Sequence, residues 1–76
     1  MGADGWITIL DANECDRLGF HPHSDFNNVY EQTFRGFRMY TVYADTEDHE
    51  EGCDGEHTMN DYHRRGLVVD EWRVWS

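Results

Sequence analysis

The stretch from Val29 to Ala44 constrains the fold more than any other part of this chain. It reads Val-Tyr-Glu-Gln-Thr-Phe-Arg-Gly-Phe-Arg-Met-Tyr-Thr-Val-Tyr-Ala, two runs of β-branched and aromatic residues around one glycine. A two-residue turn at Arg35-Gly36 makes this a β-hairpin, because glycine tolerates the positive φ that such turns need. That turn pairs Phe34 with Phe37, Gln32 with Met39 and Tyr30 with Thr41. The opposite face then carries Val29, Glu31 and Thr33 with Arg38, Tyr40 and Val42. Both faces hold aromatics, so one is expected to pack on helices. The other is expected to be partly covered or to be a contact surface.

Shorter signals flank the hairpin. Trp6 to Leu10 is apolar and β-branched and reads as a strand. Asp11 follows as a helix N-cap with Glu14 three residues on, Ala12, Cys15 and Leu18 recur at helical spacing, and Gly19 suits the left-handed stop. Phe20 to Asn28 reads as a loop with Phe26 tucked beneath it, and Asp45 to His57 reads as a second, acidic loop. Thr58 and Asp61 open a second helix with Met59 and Tyr62 facing inward, and Gly66 ends it. Leu67 to Ser76 reads as a last strand, alternating Val68, Asp70, Trp72 and Val74 with Val69, Glu71, Arg73 and Trp75. The expectation is a single α+β domain over residues 1–76. Its small antiparallel sheet is built from the central hairpin and the N- and C-terminal strands, with two short helices on one face. With 76 residues the core is thin, and eleven aromatic side chains supply much of its apolar area.

Charge narrows the function. Sixteen acids against six basic residues, all Arg, give a formal net charge of −10. Direct nucleic-acid binding is disfavoured, because phosphate contacts need clustered cations. A GC-rich genome explains the absence of Lys, and adaptation to salt is one source of acidity. Seven of the thirteen residues from Asp45 to His57 are acids, however, and such clustering favours a binding face. That face is Glu47, Asp48, Glu50, Glu51, Asp54 and Glu56, and it calls for a protein partner with a basic surface. Trp72 and Trp75 fall on opposite faces of the last strand. One is expected in the core and the other as an anchor for a partner or for a homo-oligomer. No apolar run is long enough to span a membrane, and the N-terminus shows no secretory pattern. The expected location is the cytoplasm of a host cell or a virion.

The one local metal-ligand pattern is His49-x₃-Cys53-x₃-His57, with His21, His23 or His63 as a fourth donor through space. Zinc is the cofactor such ligands suit. The alternating Asp-x-Asp-x-Asp-Gly order of a calcium loop is absent. Neither cysteine looks like a nucleophile. Cys15 lies on an apolar helix stripe, and the acids around Cys53 raise a thiol pKa. No catalytic residues stand out, and the expectation is a protein that is not an enzyme.

The opening Gly2-Ala3-Asp4-Gly5-Trp6-Ile7, the central Tyr40-Thr41-Val42-Tyr43 and the ending Trp72-Arg73-Val74-Trp75 resemble short proteins encoded by tailed phages and their GC-rich or halophilic hosts. The resemblance implies a viral setting, where small acidic proteins act as inhibitors of host defence, including anti-CRISPR and DNA-mimic proteins, or as virion parts. Three functions follow: an acidic inhibitor or adaptor, a virion or assembly component using an aromatic sheet face, and a small zinc-stabilised domain.

Overall fold

The computed structural model describes residues 4–53 and 55–75. Asp54 of the acidic set, Gly2 and Ala3 of the opening motif and Ser76 at the end of the expected last strand lie outside these residues. The chain forms one four-stranded antiparallel sheet in the order β2-β3-β1-β4. The strands are β1 (Gly5–Asp11), β2 (Asn28–Phe34), β3 (Phe37–Asp45) and β4 (Val68–Val74). Four short helices join them: α1 (Ala12–Leu18), α2 (Pro22–Asp25), α3 (Thr46–Glu51) and α4 (Met59–Arg64). Among the described residues no helix is long and apolar enough to cross a membrane.

The hairpin has the expected register, with Phe34 opposite Phe37, Gln32 opposite Met39 and Tyr30 opposite Thr41. Both turn residues have positive φ, 51° at Arg35 and 80° at Gly36, as a type I′ turn requires. A left-handed Arg is strained by about 1 kcal/mol or more, and its guanidinium sits 5.4 Å over the Phe34 ring, a contact that offsets part of that. Asp11 caps α1 by accepting from the Glu14 amide, and Gly19 closes it at φ 76°. Thr58 and Asp61 open α4 as a capping box.

Two expected loops contain helices instead. Pro22 starts α2, where its fixed φ suits the first helical turn and its missing N–H is not needed. Asp45 caps α3 through the Asp48 amide at 2.8 Å, and acids at Glu47 and Asp48 favour the positive end of the helix dipole. No residue of α3 is buried, so periodicity had nothing to report there.

The core lies between the helices and one sheet face. Leu10, Tyr40, Val42 and Ala44 from the sheet meet Cys15, Phe20, Phe26, Met59, Tyr62 and Leu67. Burial of each large side chain contributes about 1.5–3 kcal/mol. Leu18 does not join this core, since it is 37% exposed at the last turn of α1. The Trp assignment is corrected too: Trp72 is 44% and Trp75 71% exposed, so neither is a core residue. The reason lies in the sheet. Trp72 pairs with Ile7 on the face away from the helices, and Trp75 lies past the end of β4. A bulge between the Ile9 and Leu10 pairings leaves Val69 unpaired, so Val68 shares the helix-facing side with Glu71 and strict alternation fails.

Leu10→Ala is therefore expected to destabilise the fold by about 2–5 kcal/mol, whereas Leu18→Ala changes it by less than about 1 kcal/mol. Urea unfolding monitored by circular dichroism separates the two.

Candidate functional site: a His–Glu–His cluster on the last strand

Glu71 stands in β4 on the helix-facing side, opposite Thr8 of β1. A carboxylate there must be satisfied, and three groups do so. Thr8 Oγ1 donates to Oε2 at 2.6 Å, His49 Nε2 lies 2.6 Å from Oε2, and His63 Nε2 lies 3.0 Å from Oε1. Three elements thus converge, with His49 from α3, His63 from α4 and Glu71 from β4. Trp6 stacks on the His49 ring at 4.9 Å and 21°, with the Arg73 guanidinium also over the Trp6 ring. This contact restricts His49, as packing against a ligand does in built metal sites. Burial alone raises the Glu71 pKa, but the His49 and Thr8 hydrogen bonds outweigh it and hold the carboxyl below its ordinary value.

The one ligating atom each of His49, His63 and Glu71 all lie within 4.8 Å of one another. Tetrahedral zinc with ligands at about 2.0–2.1 Å separates its donor atoms by about 3.3 Å. Closing on such an ion needs movements of about an ångström. Each histidine offers Nε2, and Thr8 already orients the carboxylate from behind.

The other two members of the expected trio lie elsewhere. His57 Nδ1 is 3.0 Å from Asp25 Oδ2, so His49 and His57 serve different carboxylates. Cys53 is partly buried beyond α3, and its amide donates to the Asp25 carbonyl at 2.9 Å. Asp25 itself is buried and accepts a 2.5 Å bond from Tyr62 Oη, while His57 stacks on Phe20 with centroids 3.9 Å apart. Burial, then the Asp25 bond, pushes the Tyr62 phenol well above its ordinary value. A cavity of about 300 Å³ borders this second cluster, lined by His21, Ser24, Asp25, Glu56 and His57 with Gly19 and Gly55. Cys15 is buried with its thiol pushed up to about 12 by burial and by Asp11, Asp16 and Glu14, so it is no thiolate at neutral pH.

The acidic residues Glu47, Glu50, Glu51 and Glu56 are exposed, with Asp48 half-buried, and none has an ion pair among the described residues. Sequence reasoning named His49 and His63 but missed Glu71, Thr8 and Trp6. In the sequence Glu71 stands beside a second acid, Asp70, and close to Arg73, so nothing local singled it out. No family model, curated protein or solved structure matches the chain.

Two outcomes are expected. Tyr62→Phe leaves buried Asp25 without its shortest bond and destabilises the fold by about 1–3 kcal/mol, read by urea unfolding. For Glu71, a folded pKa below the unfolded value means that its stabilisation is complete above the ordinary carboxylate range. That contribution is lost as pH falls through the lower folded value. Glu71→Gln should therefore flatten part of the stability–pH profile on the acid side, measured as the urea midpoint between about pH 2 and 5.

Proposed function

We propose that this chain is a small metal-stabilised binding domain, in which His49, His63 and Glu71 hold a zinc-type divalent cation. The observation that carries this reading is the convergence of two imidazole nitrogens and one carboxylate from three separate elements. Zinc accepts this nitrogen and oxygen donor set, with a water or a partner's donor in the fourth position. His63 is 42% exposed at its side chain, which leaves that position reachable from solvent. The ion would replace the hydrogen-bonding protons between the imidazoles and Glu71 and clamp α3 and α4 to β4. A structural role fits better than a catalytic one, because the residues lining the 300 Å³ cavity include none of the three ligands. The net charge of −10 also favours the approach of a cation.

Titration of the purified, chelator-stripped chain with zinc is expected to show one equivalent bound and a raised melting temperature. An ion at one hundred times its Kd contributes about 2.7 kcal/mol. His63→Ala and Glu71→Gln should each abolish that shift, and Cys53→Ala should retain it. Absence of any melting shift, or an unchanged shift in His63→Ala, would refute the assignment.

A second reading is favoured by the acids on and after α3. Glu47, Glu50, Glu51 and Glu56 are exposed without counter-ions among the described residues, which suits an inhibitor or adaptor that occupies a basic, nucleic-acid-binding surface on a protein, in the manner of a phage DNA mimic. Glu50→Lys with Glu51→Lys is expected to weaken capture of such a partner from a host lysate at least tenfold, and added salt should weaken it similarly. Insensitivity to both would sink this reading.

A further inference from the structure

The described helices pack on one side of the sheet, and no described helix covers the opposite side. Its rows follow from the register. Asn28, Tyr43, Ile7 and Trp72 form one, Tyr30, Thr41, Ile9 and Asp70 the next, then Gln32 beside Met39, and Phe34 beside Phe37 at the hairpin end. Tyr30, Phe34, Phe37, Tyr43 and Trp72 are 60%, 63%, 37%, 38% and 44% exposed. We propose that this face is the interface of a symmetric homodimer, formed by two copies of the chain packing sheet against sheet.

Area supports a second copy as the occupant. A buried aromatic side chain covers 150–250 Å², so these five expose on the order of 500 Å². The partly exposed Ile7, Ile9 and Met39 extend the patch toward the roughly 800 Å² per partner of a standard stable interface. A patch of this size lies in the upper part of the range for the largest apolar patch of a soluble monomer, and such patches are often functional. Sheets pack face to face at about 10 Å, a geometry open to two such faces. The result would be a four-layer particle with helices outside and two sheets within.

Charge identifies the occupant more sharply. The chain carries −10, so like copies repel wherever their acids meet. Asp11 and Asp45, at the strand ends, turn their carboxylates to cap α1 and α3. That leaves Asp70 as the charged side chain of these rows, on edge strand β4, where it would stand at the rim. There is no Arg in the rows to attract an acidic partner and no row of acids to attract a basic one. The helical side, by contrast, carries Glu14, Asp16, Glu47, Glu50, Glu51 and Asp61. Sheet-to-sheet contact is the approach that keeps these acids apart. Because the residual repulsion is long-range and screened by salt, self-association should strengthen as salt rises. The acidic-face reading predicts the opposite salt response for binding a basic partner.

Sedimentation equilibrium of the full chain across the micromolar range tests this. The wild type should approach twice its monomer mass, and more completely at high salt. Phe34→Glu combined with Trp72→Glu should sediment as a monomer with an unchanged far-ultraviolet circular dichroism spectrum. Tyr30→Glu alone, a milder change at an exposed site, should weaken dimerisation at least tenfold and serves if the double variant fails to fold. Glu50→Gln with Glu51→Gln, on the helical side, should leave the dimer intact. A wild type that stays monomeric throughout the range overturns the proposal. So does a folded double variant that still dimerises, since another surface would then be responsible.

Discussion

The helical layer depends on the buried carboxylate of Asp25. It ends α2, yet its partners come from much later in the chain: the Tyr62 hydroxyl, the His57 ring and amide, and, at its carbonyl, the Cys53 amide. A carboxylate taken out of water is expensive unless hydrogen-bonded on both oxygens, so these partners are obligatory once Asp25 is enclosed. Between them they fix Cys53 and His57, on either side of the acidic turn, against α2. A Cβ on Gly55 would come within 1.8 Å of Asp25 Oδ1, so glycine is required there for contact reasons. Gly52 has φ 76°, and a Cβ there would come within 2.9 Å of the His57 carbonyl oxygen.

That anchoring has a consequence for the other cluster. With the segment beyond α3 held at Asp25 and α4 held through buried Met59 and Tyr62, α3 and α4 are delivered to the same side of β4. His49 and His63 then reach Glu71 from two directions. The Arg73–Trp6–His49 stack completes the arrangement from the sheet side. The two polar clusters differ in character. The Asp25 carboxylate is buried and accepts on both oxygens, as the centre of a structural network should, although a cavity borders the cluster. The Glu71 cluster is more exposed and offers donor atoms that suit a cation as well as they suit one another.

The molecule also separates its charges from its apolar surface. Acids crowd the helices, where dipole ends at α1, α3 and α4 welcome them in the first turn. Aromatics crowd the bare sheet face. Among the described residues the helices cover one side of the sheet and form no second layer over the other.

Local signals reported local structure faithfully. The Arg35-Gly36 turn set the hairpin register, Asp11 and Gly19 bounded α1, and Thr58 with Asp61 opened α4, because turns and caps are satisfied by neighbours within four residues. From these the α+β class and the antiparallel sheet were legible. The small helices α2 and α3 were not, since one has four residues and the other buries none. The candidate site was half legible. His49 and His63 stood out as ligand types, but Glu71 lies 22 positions from His49 and 63 from Thr8, and no spacing rule connects such distances. The tertiary structure alone decided which side of β4 faces the helices and that His57 turns to Asp25. Strand order and a single bulge set where each side chain points, and both arise from the packing of the whole chain.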